Sequence, residues 1–141
     1  MGELVFLRAR LDEDERVARR VKSSWRQIGE TGVIVASDGG RAEECANGNW
    51  TGIAERIVRH DPERVLREID AKRQIVEDYA TTARLRDEAA ARIKAAGDSP
   101  GAEDLDVWDR AQREAGILEG PVRLLATVYA DHPGYREEWR P

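Results

Sequence analysis

HDPERVLREIDAKRQIVEDYATTARLRDEAAARIKAAGDSP, residues 60–100, is the stretch on which the fold turns. It opens on helix-start chemistry. Asp61 is a side chain that caps exposed helical N–H groups, and Pro62 suits the first helical position because its missing N–H would have no partner there. Glu63 adds negative charge near the positive end of the helix dipole. Val65, Leu66, Ile69, Val76, Tyr79 and Ala80 then recur at helical spacing. Past Tyr79 the stripe thins to Ala83, Leu85, Ala89, Ala90 and Ile93. The GDSPG segment, residues 97–101, stops the pattern. The expectation is a long helix over 61–96, either unbroken or yielding at Thr81 and Thr82.

Towards the amino terminus, Trp50, Ile53, Ala54, Ile57 and Val58 predict a short helix over 50–60. Before it, β-branched Val33, Ile34 and Val35 are followed by the turn chemistry of Asp38, Gly39 and Gly40, and Asn47-Gly48 reads as a second turn. This predicts a β-hairpin over 32–46. A lone hairpin is marginal in water, so it must lie on helices or stay mobile. At the start of the chain, Leu4, Leu7, Leu11, Asp14, Ala18, Val21 and Trp25 alternate three- and four-residue steps, a heptad seam with one polar gap. A helix over 3–26 is expected, ended by Gly29, with Asp12–Arg16 and Glu15–Arg19 as supporting pairs. The seam would serve intramolecular packing or helix-mediated dimerisation equally well.

Towards the carboxyl terminus, Leu105, Trp108, Ala111 and Ala115 predict a helix over 103–116, closed by Gly116. Residues 121–141 hold a compact apolar piece, Val122, Leu124, Leu125 and Val128, then the tail YADHPGYREEWRP. That tail carries Tyr129, Tyr135 and Trp139, three of the eight aromatic residues in the chain. With Asp131 or His132 as a cap and Pro133 early in a terminal turn, Tyr135 and Trp139 fall on one face. They are expected to clasp a core short of aromatic mass, or to serve as the interaction residues of a partner-binding peptide.

Composition narrows the classes. The chain has 141 residues, 36% of them charged, and a formal charge of −5. The acidity concentrates in 96–119, which carries seven acidic and two basic side chains. Elsewhere the signs are interleaved, whereas a nucleic-acid binder shows a clustered basic surplus. No apolar run reaches the roughly 20 residues of a membrane span, and the amino terminus lacks the layout of a signal peptide. A cytoplasmic protein without membrane contact is expected. Cys45 is the only cysteine, so no internal disulfide forms, and Glu43 and Glu44 beside it disfavour the reactive thiolate.

Three blocks, FLRARLDEDERVAR, IVRHDPERVLREIDAKRQIVE and RLLATVYADHPGYREEWRP, resemble in that order a family of small proteins of actinobacteria and their phages, known only as a domain of unknown function. The resemblance implies an intracellular, phage-borne or bacterial protein and no particular activity. Many relatives carry cysteine, sometimes near histidine, just before the last block. Residues 83–119 of this chain contain neither, so no metal site carries over.

Few constellations could carry chemistry. His60-Asp61 and Asp131-His132 would supply two imidazoles and two carboxylates to a metal if their loops met. Asp61 is already explained as a cap. Glu68 and Lys72 form a favourable i,i+4 pair, but a catalytic lysine needs burial to lower its pKa. Arg16, Arg19, Arg20, Lys22 and Arg26, with Arg56, Arg59, Arg64 and Arg67, would contact phosphates if their faces aligned. The acidic helix could engage a basic partner, though a solvated face suffices. There is no phosphate-binding glycine loop and no nucleophile elbow.

The reading is therefore a mainly α chain: a small single-domain helical bundle with a short β-hairpin after the first helix and a C-terminal aromatic clasp. No catalytic or cofactor-binding residue and no cofactor is expected. The leading function is a non-enzymatic interaction or accessory protein, acting on a protein partner or on itself. The alternatives are a metal-dependent enzyme using His60, Asp61, Asp131 and His132, and a nucleic-acid-associated regulator.

Overall fold

The computed structural model describes residues 2–21, 24–38, 41–48 and 50–141, with backbone alone for 38 and 41. The elements in chain order are α1 (Gly2–Arg19), β1 (Ser24–Gln27), β2 (Val33–Asp38), β3 (Arg41–Asn47), α2 (Thr51–Arg59), α3 (Pro62–Ala96), α4 (Ala102–Thr127) and a 3-10 turn (Glu137–Trp139). The chain is mainly helical, with a three-stranded antiparallel sheet after the first helix. It divides into two compact units, residues 1–10 with 72–141 and residues 11–71.

In the unit of residues 11–71 the sheet order is β1-β2-β3. The expected hairpin is present as β2 and β3, and β1 is a third strand that the periodicity did not predict. Helix α1 ends at Arg19, short of the expected residue 26. Leu11 and Ala18 are its last buried positions, while Val21 is 41% exposed. Beyond it Trp25 pairs with Ala36 in β1. Trp25 matched the helical seam by spacing, but a strand partner gives its backbone a ladder. Gly29, expected to stop the helix, instead has φ +55° in the turn between β1 and β2. That turn is tied by the Ile28 N–H to the Val33 carbonyl (3.0 Å). The third strand and α2, which packs on β1 and β2, remove the marginality of an isolated hairpin. Ile34 and Val35, adjacent in the central strand, are both buried. A bulge at this point, with Ile34 opposite Ala46 and Val35 opposite Glu44, leaves Cys45 as the extra residue. Lys22, Gly39 and Gly40 lie outside the described residues.

The residues flanking β2 and β3 make a close backbone approach. Gly48 donates its N–H to the Gly32 carbonyl at 2.7 Å. A Cβ on Gly32 would lie 1.6 Å from the Gly48 oxygen, so no side chain fits. Helix α3 begins as expected, with Asp61 Oδ1 accepting the Arg64 N–H at 2.8 Å.

In the unit of residues 1–10 and 72–141, α3 continues without a break to Ala96. Thr82 does not end it, because its hydroxyl donates to the Asp78 carbonyl one turn back (2.8 Å). Gly97, at φ +62°, closes the helix. The core here is built from small side chains: Ala83, Ala89, Ala111, Ala115 and Ala126 are buried beside Leu4, Leu7, Val76 and Val122. Leu4, Leu7 and Leu11 of the seam are each buried within the monomer.

Helix α4 corrects a second boundary. Two pieces were expected, 103–116 and a helix from about residue 121, but one helix runs through Gly116 and Pro121. Ala111, Ala115, Val122 and Ala126 are buried along one side, and that stripe carries the helix across the break. Pro121 forfeits the bond to the Ile117 carbonyl. Both residues are exposed, so water can replace the lost donor.

Candidate functional site

The tail forms a ring cluster. Phe6 is its hub, with ring centroids 6.2 Å from Tyr129, 5.4 Å from His132, 6.3 Å from Tyr135 and 5.1 Å from Trp139. Tyr135 and Trp139 meet edge to face at 5.8 Å. Trp139 is 6% exposed, and the Tyr135 hydroxyl is buried without a hydrogen-bond partner among the described residues. The clasp thus exists, made by turns and a 3-10 segment instead of an α-helical turn. Arg136, Glu137 and Glu138 face solvent, as expected. Phe6 is the member that sequence reasoning passed over, since it lies off the leucine seam.

His132 belongs to this cluster. The Gly134 N–H points to its Nδ1 at 2.9 Å, and Arg10 Nη1 lies 2.7 Å from its Nε2. Both ring nitrogens lie within hydrogen-bond distance of protein groups, and a neutral imidazole, which accepts at one nitrogen only, takes one of these two donors. Arg10 also lies over the Phe6 ring, 5.8 Å from its centroid. His60 and Asp61 fall in the other unit. His60 Nδ1 lies 3.0 Å from the Arg56 carbonyl, and Asp61 is used as the cap of α3. Among the described residues no group of three or more His, Cys, Asp or Glu is placed to hold a metal.

Four of the candidate arginines, Arg16, Arg19, Arg59 and Arg64, have partners close in sequence. Arg19 pairs with Glu15 at 2.6 Å, Arg59 with Glu55 at 2.7 Å and Arg64 with Glu68 at 2.8 Å. Glu68 therefore reaches back to Arg64, a partner the sequence reading did not assign. Arg16 Nε donates to the Asp12 carbonyl at 3.2 Å. Arg8 and Glu77 form a two-pronged pair, with both bonds at 2.7 Å. The hydrogen bond from Arg8 holds the Glu77 carboxyl below the usual glutamate range. Burial, with Glu119 and Glu3 adding to it, pushes the Tyr79 phenol up.

On α4, Ile117 is 71%, Leu124 59% and Val128 62% exposed, and Pro121 between them is exposed too. Their spacing, 117, 121, 124 and 128, puts all four on one face, roughly opposite the buried alanine side. Beside Ile117 a groove of about 460 Å³ runs between α3 and α4, lined by Asp78, Thr81, Thr82, Glu114 and Leu118. The signal was present in the sequence. Starting a new helix at Pro121 split the stripe and hid it.

No helix among the described residues is long and apolar enough to cross a membrane. The chain matches the model of a family of unknown function, DUF6221, over residues 1–141, and belongs to that family. No curated protein and no solved structure matches it.

Proposed function

We propose that this member of the DUF6221 family is a non-enzymatic interaction protein that holds a macromolecular partner on the exposed face of α4. One observation carries the reading: Ile117, Pro121, Leu124 and Val128 stand in line on the outer side of a helix whose other side is fully used. Single exposed apolar residues are ordinary, but a contiguous row marks an interaction surface. A small accessory protein of this kind suits the actinobacterial and phage setting that the three sequence blocks imply.

A photo-reactive phenylalanine at position 124 tests it, with the same group at exposed Glu88 as the control. Cross-linking in cells from position 124 and not from position 88 is the expected result. No product from position 124 would remove the reading.

A further inference from the structure

Beyond that reading, we infer a small-molecule site in the unit of residues 11–71. An arginine groove and an apolar pocket, joined at His60, take a free phosphomonoester that carries a small apolar group.

The groove lies where α2 gives way to α3. Its volume is about 440 Å³, and Gly52, Glu55, Arg56, Arg59, His60 and Arg64 line it. Helical spacing builds the cluster. Arg56 and Arg59 stand three apart on the last turn of α2, and Arg64 belongs to the first turn of α3. The Arg64 side chain turns back over the junction, where its Nη1 donates to the Arg59 carbonyl at 2.9 Å.

The wall of the groove holds three guanidinium groups against one carboxylate. The Arg56 guanidinium has no partner among the described residues. Glu55 takes Arg59 Nη2 at 2.7 Å, and Glu68, outside the groove, takes Arg64 Nε at 2.8 Å. Two further carboxylates stand nearby and do not line it: Asp61, which accepts the Arg64 N–H, and exposed Glu63. Both ion pairs are solvent-exposed and therefore weak, and each engages only part of a group with several N–H donors. A phosphate dianion presents three oxygens and can bridge guanidinium groups that the carboxylates hold one at a time.

His60, whose Nδ1 is held 3.0 Å from the Arg56 carbonyl, is also a wall of a second cavity. This pocket has a volume of about 270 Å³ and is bounded by Val17, Val21, Trp25, Pro62 and Val65. Val17 is 56% and Val21 41% exposed, so apolar surface is left open there. Asp14 is the one carboxylate in its wall. That charge repels an anion and sets the orientation: phosphate among the arginines, apolar group in the pocket. The pocket is smaller than those that hold drug-sized ligands, so it suits one ring or a short hydrocarbon chain of a free molecule.

An NMR titration of the full chain at constant ionic strength reads the site, with phenyl phosphate as the probe and inorganic phosphate as its reference. Phenyl phosphate should bind with a Kd on the order of 1 mM, ordinary for so small a ligand, and shift the amide signals of residues 17, 21, 25, 56, 59 and 64. Inorganic phosphate should bind at least about tenfold more weakly, because the pocket receives nothing from it. Arg56→Ala should weaken phenyl phosphate about tenfold, the loss of a charge-assisted hydrogen bond. Val17→Gln should bring phenyl phosphate down to the level of inorganic phosphate. Both positions are exposed, and a thermal melt of each variant confirms that it folds. No saturation by about 10 mM, equal affinity for the two probes, or indifference to either substitution would overturn the inference. A phosphotyrosine peptide at least about tenfold tighter than phenyl phosphate would overturn it too, because the phosphate would then belong to a modified protein.

Discussion

Phe6 and Trp139 meet ring to ring, with centroids 5.1 Å apart and planes inclined by 41°. The contact ties the first helix to the last ordered turn of the chain. It places aromatic mass in a unit whose core is otherwise mostly alanine, leucine and valine. The charged, proline-bearing tail stays on the protein because its rings have this one hub.

Trp139→Ala, or deletion of residues 133–141, should therefore destabilise the protein sharply. Truncating a buried tryptophan costs about 3–5 kcal/mol. A calorimetric melt checks this. A truncated chain that melts with the intact one would show the rings to be ornamental to stability and free for recognition.

Tyr135→Phe should behave oppositely. The Tyr135 hydroxyl is buried with no partner among the described residues, so removing it deletes an unmet desolvation penalty and keeps the ring packing. Stability should be unchanged or rise by up to about 1 kcal/mol, read from urea unfolding. A loss above that size would reveal a hydrogen bond to this hydroxyl.

Gly32→Ala tests the close backbone approach at the end of β2 and β3. With a Cβ lying 1.6 Å from the Gly48 oxygen, the backbone must move, and the bond from Gly48 to Gly32 goes with it. Overpacking of this kind costs typically 1–3 kcal/mol, and the lost bond adds about 1 kcal/mol. Chemical denaturation of the variant should show a loss in that range, and hydrogen exchange should show it concentrated in β2, β3 and α2.

Acid should weaken the Arg8–Glu77 tie. Arg8 donates to Glu77 and lowers its folded-state pKa, so the unfolded chain binds the proton more readily. The stabilisation is complete above the unfolded glutamate pKa and is lost as pH falls through the folded one. Both side chains are about half exposed, which limits the effect to about 1 kcal/mol at most. Glu77→Gln should flatten this part of the acid limb in a pH series of unfolding free energies and leave the neutral-pH value within about 1 kcal/mol of wild type. An acid limb unchanged by the substitution would mean the pair contributes nothing.

Local chemistry was legible without coordinates. Asp61 and Pro62 announce the start of α3 because a cap and a first-turn proline act on their own neighbours. Leu4, Leu7, Leu11 and Ala18 declare a buried face because helical spacing alone aligns them. The tail rings declared that they would pack, since so little other aromatic surface exists, but their hub, Phe6, lies at the far end of the chain and no spacing rule joins them. Gly29 and Pro121 misled for a related reason. Each is a helix breaker by its own backbone preference, but Gly29 uses its positive φ in a turn between strands and Pro121 sits inside a helix that burial carries past it. The ladder between Trp25 and Ala36 turns the region of Gly29 into a hairpin. The burial of Ala111, Ala115, Val122 and Ala126 carries α4 on through the proline. Periodicity and capping act within a few residues and can be read along the chain. Strand pairing, ring clusters and the continuity of a strained helix depend on burial against groups remote in sequence, and only folding brings those groups into contact.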